Sequence, residues 1–203
     1  MFGSPILPLV TITDIADAVP IAAALAEGGI KLIEIAMRTE QALSAIETIR
    51  HHLPDLSVGA GTVVNPDCVQ RAASAGAQFL VSPGCTDALL SAAQASGLPF
   101  LPGVSTTSEV LAAIEAGMTH LKFFPASVCG GPGLLRQWSA VVPEASFCPT
   151  GGISPGNARD YLALSNVFAV GGSWLVPPSV VASKTWIEIT VNARRALALT
   201  VKP

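Results

Sequence analysis

Short, largely apolar runs alternate with longer Ala-rich stretches along the whole chain. The runs near Ile6–Val10, Lys31–Ala36, Ser57–Ala60, Gln78–Val81, Pro99–Pro102, Thr119–Phe123, Ala145–Cys148 and Val167–Val170 read as strands, and their near-continuous apolarity suits a sheet buried on both faces. Helices fall between them. Ala18, Ile21, Ala22 and Leu25 recur at helical spacing behind Asp14, a residue able to cap, and Gly28-Gly29 ends that helix. Glu40–Arg50 puts Ala42, Ile46 and Ile49 on one face; Pro66 opens the next helix and Gly76 closes it. Further helices are predicted near Thr86–Ser96, Ser108–Ala116, Gly133–Val141 and Pro155–Leu164, and a last one near Lys184–Leu199. Eight strand–helix units with short links predict an α/β fold, a (β/α)8 TIM barrel. No linker or composition shift divides the chain, so one compact domain over residues 1–203 is expected. A doubly wound open sheet is the structural alternative.

Composition narrows the picture. Of the 203 residues, 50% are hydrophobic and 12% charged, enough for a substantial core. Mean hydropathy is high at +0.55, yet no uninterrupted apolar stretch reaches the roughly 18–20 residues of a membrane span. A net charge of −3 gives no reason to expect nucleic acid or an acidic membrane as partner. Met1 to Pro5 lacks the basic segment and apolar core of a secretory leader, so a cytoplasmic location is expected. Cys68, Cys85, Cys129 and Cys148 form no Cys-x-x-Cys pair, which argues against a disulfide framework or a zinc site. His51 and His52 close a helix, where they favour its negative end, and His120 is expected as a packed core residue. These three histidines make no convincing metal set.

Lys122 changes the picture most. It stands in Thr119-His120-Leu121-Lys122-Phe123-Phe124-Pro125, inside a strand that should bury both faces. Burial disfavours an ammonium and favours the free amine, the form that attacks a carbonyl. The peptide alone also allows a strand-end lysine reaching solvent. Alternation puts His120, Lys122 and Phe124 on one face, and Leu32, Glu34 and Ala36 on one face of the second strand. Glu34 therefore points inward like Lys122, either as a structural ion pair or as an acid/base group beside a nucleophile. The shared position favours chemistry. Arg38 and Thr39 follow at the strand's exit.

Other strand ends carry glycine. Gly59-Ala60-Gly61-Thr62-Val63 combines glycines that let backbone approach a ligand with the Thr62 hydroxyl. Thr150-Gly151-Gly152-Ile153-Ser154 and Gly171-Gly172-Ser173-Trp174 follow the last two strands, where barrels often hold a phosphate on exposed backbone N–H groups.

These segments, in this order, resemble the 2-dehydro-3-deoxy-6-phosphogluconate (KDPG) / 4-hydroxy-2-oxoglutarate (KHG) aldolase family. The most specific are Glu34 to Glu40, Gly59 to Val63, Lys122-Phe123-Phe124-Pro125-Ala126, Cys148 to Ser154 and Gly171 to Leu175. Met37 stands where a leucine is expected before the arginine, and the tail after Pro178 carries little of the resemblance. The resemblance implies a homotrimeric class I aldolase on a (β/α)8 barrel, needing no cofactor and no metal. Its small-molecule partners would be pyruvate and a phosphorylated 2-keto-3-deoxy sugar acid, with 4-hydroxy-2-oxoglutarate as a second candidate substrate. It implies Lys122 as the imine-forming lysine and Glu34 as the general acid/base. Arg38 and Thr62 would hold the pyruvate carboxylate, and Phe124 would pack beside the imine. Thr150 would line the pocket near the aldehyde portion, and Gly151, Gly152, Gly172 and Ser173 would bind phosphate. Three rivals stand beside it: an aldolase for another 2-keto-4-hydroxy acid, a phosphate-binding isomerase, and a silent sugar-phosphate binding barrel.

Overall fold

Burial on both faces makes the apolar runs strands: β2 (Leu32–Ala36) is buried along its whole length, and β1 (Ile6–Val10) nearly so. The computed structural model describes residues 4–200; Met1 to Gly3, part of the stretch read for a leader, and residues 201–203 lie outside the described residues. The remaining strands are β3 (Ser57–Gly61), β4 (Leu80–Val81), β5 (Phe100–Leu101), β6 (Gly103–Val104), β7 (His120–Phe123), β8 (Ser146–Pro149) and β9 (Val170–Gly172). All pair in parallel, in a six-stranded sheet of order β5-β4-β3-β2-β1-β9 and a three-stranded sheet of order β6-β7-β8. The result is an α/β fold whose parallel sheet forms a half-barrel.

The helices are α1 (Ala18–Glu27), α2 (Ala42–His52), α3 (Pro66–Ser74), α4 (Asp87–Ser96), α5 (Thr107–Glu115), α6 (Gly131–Val141), α7 (Ala158–Leu162), α8 (Pro178–Ser183) and α9 (Trp186–Ala198). Side-chain caps fix several starts. Asn65 accepts from Cys68 N, Thr86 from Leu89 N, and Thr106 with Glu109 forms a capping box. Burial alone would raise the Glu109 carboxyl pKa, but hydrogen bonds from Ser105 and Thr106 outweigh it and the value is lowered.

Four expectations need correction. The fifth predicted strand is broken at Pro102, which has no amide to donate, and the chain passes there from one sheet to the other. The last strand starts three residues late and ends two late: Val170, Gly171 and Gly172 pair with Ile6, Leu7 and Pro8, so a glycine pair of low strand propensity is in the ladder. Asp14 caps a separate 3-10 turn (Ile15–Asp17) through Ala16 N rather than α1 itself. The final helix starts two residues later than expected, at Trp186, and a short helix not expected from the sequence, α8, precedes it, with Lys184 after α8 in the left-handed region at φ 54°.

His120 also departs from expectation. It is exposed, not packed in the core, because it is the first residue of β7, and its ring lies edge-on to Phe168 at 5.2 Å. His52 sits where expected, with Nδ1 2.8 Å from the Thr48 carbonyl oxygen in the last turn of α2.

Two apolar clusters result. The larger lies between sheet and helices and includes Ile33, Ile35, Leu121, Phe123, Phe147 and Trp138. The smaller lines the inward face: Leu7, Leu32, Phe79, Val81, Leu101, Cys148 and Ala169. Gly59 makes room within it, since a Cβ there would overlap the Phe79 ring. Helix α1 packs on α9 closely enough that a Cβ at Gly28 would overlap Ala193, and Thr190 Oγ1 donates to the Ala24 carbonyl at 3.0 Å. No described helix is long and apolar enough to cross a membrane.

Candidate active site

Glu34 and Lys122 meet on the inward face. Strand β2 places Glu34 in register with Leu9 and Gly59, and β7 places Lys122 between Gly103 and Cys148. Lys122 Nζ donates to Glu34 Oε1 at 3.2 Å, with only 4% and 1% of the two side chains exposed. Glu34 Oε2 is buried with no hydrogen-bond partner among the described residues. An orphaned carboxylate oxygen beside a buried amine is costly, and such a group calls for a functional explanation. Gly61, the last residue of β3, makes the space: a Cβ there would overlap the Glu34 carboxylate. The glycines read as a ligand approach in Gly59-Ala60-Gly61 thus make room for protein side chains instead.

Phe124 and Cys148 flank the pair. The Phe124 ring centroid is 5.5 Å from Lys122 Nζ. Burial pushes the Cys148 thiol up to about 12, with Lys122 and a Thr150 hydrogen bond opposing and Glu34 reinforcing the rise. The thiol stays protonated and is not a nucleophile here.

Arg38 and Thr62 meet at the exits of β2 and β3. Arg38 Nε donates to Thr62 Oγ1 at 3.0 Å. Met37 N donates to the Gly61 carbonyl at 2.8 Å, and Thr39 Oγ1 to the Ile12 carbonyl at 2.6 Å, pinning this loop between β1 and β3. Thr62 has φ 60°, a strained conformation for a β-branched residue. Arg38 forms no ion pair with a carboxylate among the described residues.

The third group follows β8 and β9. Gly151 and Gly152 have φ 95° and 74°, conformations that favour glycine. Ala126 N and Ser127 N donate to the carbonyls of Thr150 and Gly151 at 2.8 and 3.1 Å, lacing the loop after β7 to the loop after β8. A Cβ on Gly152 would strike Ser127, one on Gly171 would strike Thr150 Oγ1, and one on Gly172 would strike the Trp174 ring. Thr150 is buried and donates to the Cys148 carbonyl at 3.3 Å. Ser173 is exposed and opens a cavity of about 520 Å³ with Leu9, Thr11, Thr13, Asp17 and Lys184. The sequence reading missed Thr11, Thr13, Asp17, Lys184 and Ser127. Inward alternation from Leu7 and Leu9 to Thr11 is the one signal that pointed there.

Among the described residues, no group of three or more His, Cys, Asp or Glu could hold a metal ion. The arrangement offers a buried amine, a carboxylate beside it, a planar cation and loops of glycine and hydroxyl groups.

Known proteins share the sequence and the fold over nearly the whole chain. The family model "KDPG and KHG aldolase" matches residues 1–192, past the Pro178 boundary drawn from the sequence. The 2-dehydro-3-deoxy-phosphogluconate aldolase of Dickeya dadantii is 46% identical over 196 residues, 97% of this chain and 92% of that protein. The KHG/KDPG aldolase of Escherichia coli K12 is 44% identical over 193 residues, 95% of this chain and 91% of that one. The crystal structure of KDPG aldolase from Legionella pneumophila, with pyruvate captured at low pH as a covalent carbinolamine intermediate, superposes with a TM-score of 0.94. It is 42% identical over 96% of this chain and 94% of that one. With a matched family model spanning nearly the whole sequence and relatives of this similarity, the chain belongs to the KDPG and KHG aldolase family.

Proposed function

We propose that this chain is a class I aldolase, a lyase that cleaves 2-dehydro-3-deoxy-6-phosphogluconate to pyruvate and glyceraldehyde 3-phosphate, and that also takes 4-hydroxy-2-oxoglutarate, giving pyruvate and glyoxylate. The observation that carries the reading is the buried 3.2 Å contact between Lys122 Nζ and Glu34 Oε1, with Glu34 Oε2 left unpartnered.

The chemistry follows from that pair. A proton passing from Nζ to Oε1 makes the amine neutral and leaves Glu34 as an acid. The lone pair of Lys122 forms a C–N bond to the C2 ketone, whose oxygen is protonated to a carbinolamine; loss of water gives a protonated imine. Glu34, again a carboxylate, takes the C4 hydroxyl proton. The C3–C4 bond then breaks, its electron pair moving into the imine to give an enamine, and the aldehyde leaves. Protonation of the enamine at C3 and attack of water on the imine release pyruvate and free Lys122. No step needs an external oxidant or reductant.

Arg38 and Thr62 serve the carboxylate end. The guanidinium is a planar, fixed-charge fork for a carboxylate, and its Nε contact with Thr62 Oγ1 at 3.0 Å sets its angle. Phe124 covers the imine, Thr150 borders the aldehyde portion, and Gly151, Gly152, Gly172 and Ser173 take the phosphate. An aldolase for another 2-keto-4-hydroxy acid would keep the first group and differ only in the last.

The same reading extends to the assembly. The Pro102 junction and the isolated bridges Phe147–Val167 and Thr150–Gly171 support closure of both sheets into one (β/α)8 barrel, read as a single domain over residues 1–203. Family resemblance supports a homotrimer and a cytoplasmic location.

Sodium borohydride reduction in the presence of pyruvate, followed by peptide mass mapping, tests the function. The expected adduct is on the Lys122 peptide. An adduct on another lysine moves the imine, and no adduct removes the class I mechanism.

A further inference from the structure

The cavity of about 520 Å³ beyond Ser173 is lined by polar as well as apolar side chains. Its inner wall, Leu9, is the register neighbour of Glu34, so the cavity starts one strand from the acid/base group. Its rim carries three hydroxyls, from Thr11, Thr13 and Ser173, and one cation, Lys184. Lys184 has φ 54°; with Thr62, which contacts Arg38, it is one of two non-glycine residues at positive φ among the described residues, and it lines the cavity with Ser173. Residues held in such strained conformations concentrate at functional sites. A glycine would suit this helix-terminal position better, and lysine is there instead.

The partner of Lys184 is loosely held. Its Nζ lies 3.6 Å from Asp17 Oδ1, beyond hydrogen-bonding distance, with the lysine side chain 62% exposed and the aspartate 11%. Asp17 is a nearly buried carboxylate at the edge of a cavity proposed to meet a phosphate dianion. Left alone it would repel that dianion.

Resting on the aldolase reading above, we infer that the cavity extends the substrate site past Ser173, and that Lys184 is the cation answering the phosphoryl group while its tether to Asp17 masks the opposing charge. Lys184 is then a specificity residue: it favours phosphorylated over unphosphorylated 2-keto-4-hydroxy acids without touching the reacting atoms. The competing account makes Lys184 only the counterion of Asp17.

Three variants of the full chain separate the two accounts: Lys184→Gly, Asp17→Asn and the double variant. The readout is the ratio of kcat/KM for 2-dehydro-3-deoxy-6-phosphogluconate to that for 4-hydroxy-2-oxoglutarate. Lys184→Gly is expected to lower the ratio by roughly 10- to 10²-fold, the range for a lost charge-assisted hydrogen bond, mainly through KM of the phosphorylated substrate. The melting temperature should not fall, since glycine relieves the left-handed strain. The double variant should stay low. Recovery of the ratio in the double variant, an unchanged ratio in Lys184→Gly, or a loss shared equally by both substrates overturns the inference. Pyruvate trapping by borohydride involves no phosphate. If trapping is intact while the ratio does not move, the Lys184 role fails and the aldolase reading stands; if trapping is lost in the unaltered chain, the aldolase reading itself fails.

Discussion

Glu34 and Lys122 stand on strands with 1% and 4% of their side chains exposed, whereas Lys184, at the far side of the proposed substrate track, is 62% exposed in the two-residue link between α8 and α9. The first pair is held from all sides: Gly61 makes its space, Cys148 and Phe124 flank it, and neighbouring strands fix its register. The second region is made of glycine backbone, hydroxyls and one loosely tethered cation. In the proposed mechanism the covalent step needs two atoms within a fraction of an ångström of their working positions, which rigid elements supply. Charge complementarity with a phosphate tolerates looser geometry, because Coulomb attraction falls slowly with distance.

The sharpest break in this comparison is Lys122→Ala. It should abolish cleavage and pyruvate trapping together, measured by coupled assay and by mass mapping after borohydride; a trapped adduct that persists would remove Lys122 from its role. Glu34→Gln comes next, with kcat expected to fall by about 10²–10⁴-fold, the range for a lost general acid/base. Near-normal turnover would reduce the pair to a structural contact. Arg38→Ala should cost roughly 10–10²-fold in kcat/KM for phosphorylated and unphosphorylated substrates alike. That uniform loss is the contrast to the selective loss expected at Lys184. Thr62→Gly is milder: it removes the hydroxyl that orients Arg38, so KM should rise several-fold, while relief of φ 60° should hold or raise the melting temperature.

The smallest effect concerns Cys148. Burial holds its thiol up at about 12, against an ordinary 9.0. As pH rises, the unfolded chain loses this proton first, so the native state's advantage is intact below about pH 9 and shrinks toward pH 12. Denaturant unfolding of Cys148→Ala should show a flatter alkaline decline than the unaltered chain; parallel curves would mean the thiol does not govern that limb.

Much of this was legible in the chain. Lys122 and Glu34 stand out because a charge inside an apolar strand is rare, and the period of two orients both inward. Helix starts at Pro66 and near Thr86 follow from local chemistry that a single chain displays. Other features depend on distant partners. Gly59 and Gly61 look like strand-end glycines that let backbone approach a ligand until Phe79 and Glu34 are seen to fill their places. Gly171 and Gly172 look like a turn because their strand character comes from pairing with Leu7 and Pro8, far away in sequence. Lys184 reads as the start of a helix, since no local signal tells a left-handed residue from a helical one when the residue is not glycine.

The bare inner side of β3 has a practical consequence for redesign. At Gly59 and Gly61 there is no side chain to trim, and any substitution there adds bulk against Phe79 or Glu34. A catalyst for bulkier acceptor aldehydes has to gain its volume from neighbours that carry side chains, and libraries that randomise those two codons should return mostly dead clones.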